Sequence, residues 1–386
     1  MSDGKPQLDR RATSPRRSRK PAASRSGATV RDVARVAGVS IATVSRALSQ
    51  PAIVRAPTRV RVERAIAQLN YVTDGTARAL TTRRTRTIGA LIPTLDNAIY
   101  AVSTHMLQKT LEQAGYTVLL ACHEFDLDAE ARMVREFAER GVDGLALVGT
   151  AHDPRTRKLL ATLALPYVFT WAIDRRRRSH CVGFDNRAAG RTIAEHLLRL
   201  GHRQIGVITG ILRGNDRATD RLHGIRTAVA DAGIALPDSR IVEAPYSLDA
   251  GGRALDSLLA REAVTAVVCG NDVLATGAIL QAQRRGLRVP RDLSVTGLDD
   301  MAFATVISPA LTTVRFPIAQ IGVEAARHLL QQLAGAVPPR CIELPLELVV
   351  RESTAPPKTA SDGPAGADSP EPAHAPTMVQ RLREVL

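Results

Sequence analysis

Aromatic side chains are scarce in this 386-residue chain, at 3% with a single tryptophan, and only four cysteines occur. Cys122, Cys181, Cys269 and Cys341 lie far apart and form no CxxC pair, so neither metal-ligand spacing nor a disulfide framework is present. Apolar neighbours flank each one, and buried free thiols in a reducing compartment are expected. No apolar run reaches the length of a membrane span, and the basic N-terminal stretch holds no secretory h-region. A cytoplasmic protein without a membrane partner is the expectation. Equally absent are a GxGxxG after a strand, a GxxxxGK[ST] loop and a GxSxG elbow. The nine histidines are scattered. No catalytic residue, metal ligand or cofactor is therefore assigned, and an enzyme is not expected.

What the chain has in excess is positive charge, and its placement is uneven. The net formal charge is +14. Residues 1–86 hold 19 Lys and Arg against 5 Asp and Glu, whereas the remainder holds 33 of each sign. All of the excess lies in the first quarter, which points to a polyanion partner for that segment.

Residues 1–27 are basic, rich in Ser, Pro and Ala, and lack apolar periodicity, as a disordered tail does. Residues 28–73 have helical texture, and residues 74–86 form a polar linker. From residue 87 to about 354, short Val/Ile/Leu runs alternate with amphipathic helical stretches ending in Gly. Ile88–Ile92, Tyr116–Ala121, Leu145–Val148, Tyr167–Thr170, Ile205–Thr209, Ala266–Cys269 and Leu293–Gly297 read as strands. The alternation predicts parallel α/β sheets covered by helices, and the length predicts two subdomains with a cleft between them. Residues 355–386 are Pro/Ala-rich. Met378, Leu382 and Val385 or Leu386 share helical spacing there, leaving a short coiled coil or a frayed end open.

Thr29 to Ser49 reads TVRDVARVAGVSIATVSRALS. Thr29 and Asp32 have capping-box spacing, which starts a helix at Val30. Gly38 permits a tight left-handed turn, and Ser40 caps a second helix from Ile41 to about Leu48. Val44, Ala47 and Leu48 face inward, leaving Ile41, Ala42, Thr43, Ser45 and Arg46 outward. Such a helix suits a DNA major groove. Arg46 can pair bidentately with guanine, and Ile41 and Ala42 can touch thymine methyls. Ser40, Thr43 and Ser45 are placed for phosphates, which fix register.

This run resembles the headpiece of the lactose/galactose repressor family, with its pattern DVAxxAGVSxATVSRxL. The resemblance continues through Leu69-Asn70-Tyr71 to Ala77-Arg78-Ala79-Leu80. It implies that Ala77 and Leu80 belong to a hinge helix whose leucine wedges into the minor groove, with an ordinary linker residue as the alternative. Arg55 stands where the family has a hydroxyl cap, and Asp74 where it has Asn. Asp74 near phosphates would be mildly repulsive.

The family resemblance covers residues 29–354, through landmarks such as Phe184-Asp185-Asn186, Gly270-Asn271-Asp272 and Gly297-Leu298-Asp299-Asp300. It implies an all-α helix-turn-helix headpiece on a two-subdomain core similar to periplasmic sugar-binding proteins. It also implies a homodimer, with a tetramer left open. Asp272 and Asp299 follow strands, where ligands bind in such sheets. Arg221 offers a fork of donors, and Arg217 stands four residues earlier. Trp171 matches a position that can stack on a sugar ring or base, and Tyr246 and Tyr100 are further candidates. Alternatives stand beside these: Asp185 reads as a helix cap, Arg217 as a ligand residue or a solvated side chain, and His202 as a packing residue. Ile99 replaces an expected aromatic, which with the two arginines points to a sugar acid.

Three functions compete. A ligand-controlled repressor binding a palindromic operator fits headpiece, hinge and cleft together. A solute-binding protein without specific DNA binding conflicts with the headpiece, and an enzyme lacks every motif sought.

Overall fold

The computed structural model describes residues 28–72 and 84–358, which belong to two compact units. Ala77 and Leu80, expected to form the hinge, lie outside the described residues, as do the basic tail and the C-terminal end.

In the first unit, α1 (Val30–Ala37), α2 (Ile41–Ser49) and α3 (Ala56–Leu69) enclose a small core of Val33, Ala34, Ala37, Val44, Val62 and Ala65. The capping box forms as the spacing predicts: Thr29 Oγ1 accepts from the Asp32 amide, and Asp32 Oδ2 accepts from the Thr29 amide at 3.0 Å. Gly38 takes φ 64°, a conformation that costs other residues a Cβ clash, and its N–H closes α1. Pro57 falls in the first turn of α3, where its missing N–H costs nothing.

The second unit holds two parallel sheets. The first has the order β11-β5-β4-β3-β1-β2, from β1 (Thr87–Ile92), β2 (Thr117–Cys122), β3 (Gly144–Val148), β4 (Tyr167–Thr170), β5 (Cys181–Gly183) and β11 (Cys341–Glu343). Its helices are α4 (Ala98–Gln113), α5 (Leu127–Glu139), α6 (Pro154–Leu163) and α11 (Ile318–Leu333). The second has the order β7-β6-β8-β9, from β6 (Ile205–Gly210), β7 (Ile241–Ala244), β8 (Ala266–Cys269) and β9 (Ser294–Thr296). It packs with α7 (Asn186–Arg199), α8 (Asp216–Asp231), α9 (Leu248–Arg261) and α10 (Asp272–Arg284). Strands such as β3 and β8 are buried along their whole length, as parallel strands covered on both faces must be.

The chain passes between the two halves after β5, around β10 (Thr313–Arg315), and between β11 and β12 (Glu347–Val349). β10 and β12 pair antiparallel, so two of the three crossings are tied by backbone hydrogen bonds. Helices α7 and α8 cross at backbone distance. A Cβ on Gly190 would lie 2.0 Å from the Arg221 carbonyl oxygen, and one on Gly224 would lie 2.0 Å from that of Arg187. These two glycines set the depth at which α8 presents its first turns.

The thiol expectation needs correction. All four cysteines are free, but Cys122 and Cys341 are only partly buried, and Cys181 and Cys341 are neighbours in space. Strand pairing brings together positions that sequence spacing separates.

Candidate functional site

On α2 the structure separates two roles that the sequence left joined. Ile41, Ala42, Ser45 and Arg46 are exposed, and Thr43 is half-buried. Ser40 Oγ is occupied as the N-cap: it accepts from the Thr43 amide at 3.1 Å and meets the Thr43 hydroxyl at 2.9 Å. The cap therefore closes the start of α2, and Ile41, Ala42, Ser45 and Arg46 remain exposed. Arg55 caps α3 without any side-chain hydrogen bond, so the departure at that position leaves the amides of the first turn without a hydroxyl partner.

The second candidate site lies between the two sheets. Its floor on the first half is Tyr100 and Trp171, ring centroids 5.2 Å apart and edge to face. Trp171 has φ 68°, and Phe184 lies edge-on at 6.4 Å, so its ring is enclosed on two sides. The opposite half contributes the first turns of α8. Arg221 donates to Asn186 Oδ1 at 2.9 Å and to the Tyr246 hydroxyl at 3.3 Å, with its guanidinium 6.0 Å from the Phe316 ring centroid. Arg217 is buried, at 4% exposure, and donates to Asp216 at 2.7 Å. The solvated alternative for Arg217 is thus excluded, because α8 begins at Asp216 and turns this side chain inward.

Asp299 and Asp272 follow strands as expected but differ in availability. Asp272 is fully buried and spent: Oδ1 accepts the Thr313 hydroxyl at 2.6 Å, and Oδ2 accepts the Met301 amide at 2.7 Å. Asp299 has φ 130°, and its Oδ2 is buried without a partner. Burial pushes the Asp299 carboxyl well above its usual range, the Asp272 charge adds to this, and Arg221 opposes it. Burial likewise raises Asp272, to about 6. Strained backbone at Trp171 and Asp299 costs free energy that the rest of the fold must supply, which is typical of binding positions.

Several buried polar atoms converge here unpaired: Asp299 Oδ2, Arg221 Nε, Arg217 Nη2, Asn271 Nδ2 and both ring nitrogens of His123. Burial holds His123 down to about 4, so its ring is neutral and can both donate and accept. Sequence reasoning missed His123, Asn186 and Asp216. Asn186 stands in a recognised FDN step in which only Asp185 was read, and Asp185 does cap α7 as expected. His202 also packs as expected, bonded to Thr265 and to the Ala355 carbonyl. For His123 no pattern in the sequence carries a signal, since β2 and α5 bring it to the cleft.

The two halves touch across the cleft. Asp216 Oδ2 accepts from the Thr150 amide at 2.6 Å and the Ala151 amide at 3.0 Å. A Cβ on Gly214 would lie 2.2 Å from the Phe125 carbonyl oxygen.

Residues 29–74 match the family described as bacterial regulatory proteins, lacI family, and residues 194–354 match a periplasmic binding protein-like domain. The chain is 33% identical over 332 residues to the HTH-type transcriptional repressor PurR of Aliivibrio salmonicida, covering 84% of this chain and 98% of that protein. It is 33% identical to the HTH-type transcriptional regulator GntR of Pseudomonas aeruginosa, covering 84% and 95%. A crystal structure of the Lac repressor dimer bound to operator and the anti-inducer ONPF superposes with TM-score 0.77 at 28% identity, covering 85% and 99%. Among the described residues, no helix is long and apolar enough to cross a membrane.

Proposed function

The chain belongs to the lacI family of bacterial regulatory proteins, and we propose that it is a cytoplasmic repressor whose operator affinity is set by an anionic polyhydroxyl effector, such as a sugar acid. Two headpieces of a homodimer occupy adjacent half-sites of a palindromic operator, with residues 74–86 as the hinge between residues 28–73 and the core at 87–354. Exposed Arg46 reads a base edge, and Ile41 and Ala42 meet thymine methyls. Ala77 and Leu80 act at the central step. The Lac repressor structure, a dimer on operator DNA, supports this arrangement.

The effector class rests on one observation, the charge balance of the cleft. Arg217 is neutralised by Asp216, burial drives Asp299 toward its neutral form, and both Asp272 oxygens are occupied by Thr313 and Met301. The hydrogen-bond partners of Arg221 are the neutral Asn186 and Tyr246. Its charge favours an anionic group on the ligand. Asp299 Oδ2, Asn271 and His123 then take hydroxyls. Binding changes the angle between the halves and shifts operator affinity through the hinge.

Selection of bound sequences from randomised DNA, followed by titration with sugar acids and with the matching neutral sugars, tests both parts. A palindrome released or tightened by the acid alone is expected. A response to the neutral sugar alone would refute the effector class, and a failure to enrich any sequence with or without sugar acids would refute the repressor.

A further inference from the structure

Cys181 and Cys341 lie 160 positions apart in sequence, yet they are register partners in the parallel pair β5 and β11. Their Sγ atoms are 2.7 Å apart. A covalent S–S bond is about 2.05 Å long and bridges Cα atoms roughly 4.4–6.8 Å apart. Neighbouring strands lie about 4.7–4.9 Å apart, so the ladder already holds the two backbones within bridging range. As register partners in a ladder, both side chains leave the sheet on the same side.

We propose that Cys181 and Cys341 are a modification site for hydroperoxides, closing to a reversible disulfide that pins the edge strand β11 to β5 beside the crossings between the two halves of the core.

The two thiols differ in a way that orders the chemistry. Cys341 is partly exposed and Cys181 is buried. The Cys181 thiol donates to Cys341 Sγ, which holds Cys341 below its usual range; burial opposes this and Arg177 assists. The same contact and burial raise Cys181. The Cys341 thiolate attacks a peroxide oxygen, breaking the O–O bond and giving a sulfenic acid, while the leaving alkoxide or hydroxide takes a proton. The Cys181 sulfur then attacks the sulfenyl sulfur, its proton leaves with the hydroxyl group as water, and the S–S bond forms. In total two thiols and one hydroperoxide give one disulfide, one alcohol or water, and one water. Oxidation of the two sulfurs balances reduction of the peroxide.

The link falls where the fold can respond to it. β5 runs into the crossing at Phe184, and β11 runs into the crossing that ends at β12. Pairing continues past the strands, with the Leu344 amide donating to the Gly183 carbonyl at 2.7 Å. β11 is only three residues long and lies at the sheet edge, so its hold on β5 rests on few hydrogen bonds. A covalent bond at Cys341 fixes it. The other two cysteines offer no such partner: Cys269 is fully buried, and Cys122 stands on β2 at the far edge of the same sheet.

The test oxidises the reduced full-length protein with hydrogen peroxide and maps its peptides without reduction. Loss of two of the four free thiols is expected, with a Cys181–Cys341 linked peptide that dithiothreitol reverses. C181S should stop at a Cys341 sulfenic acid trapped by dimedone, and C341S should leave Cys181 unreacted. Amide hydrogen exchange over residues 341–344 should slow in the oxidised protein. Cys341 over-oxidised without a linked peptide, or no loss of thiols, would overturn the site. A linked protein with unchanged exchange would overturn the pinning.

Discussion

The Thr150 amide and the Asp216 carboxylate meet at 2.6 Å across the cleft, joining a loop after β3 to the first turn of α8. Burial would raise the Asp216 carboxyl, but Arg217 and the amides of Thr150 and Ala151 outweigh it and hold the group below its usual range. This contact therefore latches the two halves together through an ionised carboxylate. Asp216→Ala should leave Arg217 buried without its partner and cost about 3–5 kcal/mol of core stability. Urea unfolding and effector titration of the variant check this. A variant with unchanged unfolding and unchanged effector affinity would show that the latch carries no energy.

Arg221 is held as a fork between Asn186 and Tyr246, so its replacement should act on the effector and not on DNA. Arg221→Lys keeps the charge but not the geometry, and should weaken the effector by about 10- to 100-fold, equivalent to roughly 1.5–3 kcal/mol. Operator binding without effector should be unchanged. Calorimetry and a gel-shift titration read the two quantities separately. Equal losses in both would place Arg221 in the fold and not in the site.

The buried Asp272 makes stability depend on pH in a stated direction. Its folded value is about 6 against an ordinary 3.8, so the folded protein holds this proton more tightly than the unfolded chain. The corresponding stability is complete below about pH 4 and is lost as pH rises through 6, about 3 kcal/mol in all. His123 and His328, each held at about 4 by burial, act oppositely, losing stability as pH falls from 6.5. The comparison with Asp272→Asn isolates the carboxyl, because the Asn amide can donate to the Thr313 hydroxyl and accept from Met301. Unfolding free energy of wild type minus variant should fall between pH 4 and 7. Parallel profiles would refute it.

In the headpiece, Arg46→Ala should relax base preference at one operator position at a cost of about 1–3 kcal/mol. A uniform loss across all sequences would make Arg46 a phosphate contact.

Arg55→Ser should supply the missing hydroxyl at the start of α3 and stabilise the headpiece by about 0.5–2 kcal/mol. Thermal unfolding followed on the headpiece signal checks it, and an unchanged or lower midpoint would mean that water already satisfies those amides.

The helix-turn-helix was legible because its determinants are local. The capping box, the turn glycine and the inward trio around Val44 act within one or two helical turns, and α1 and α2 follow the expected spans nearly residue for residue. The core strands were legible for the same reason, since parallel strands buried on both faces leave short apolar runs at Tyr167–Thr170 and Ala266–Cys269. Short edge strands such as β5 and β11 carry too few residues to stand out, and pairing alone defines them. In the cleft, sequence could nominate Arg221 and Asp299 by position, but not how each is partnered. Whether a carboxylate is spent on Thr313, like Asp272, or left open, like Asp299, depends on which distant segment packs against it. The same holds for His123, Asp216 and the meeting of Cys181 with Cys341. Sequence by itself determined the reader, its charge and the alternation of strand and helix, because those rest on neighbours along the chain. Only tertiary structure decided the cleft, because burial, desolvation and the pairing of charges are set by residues far apart in sequence.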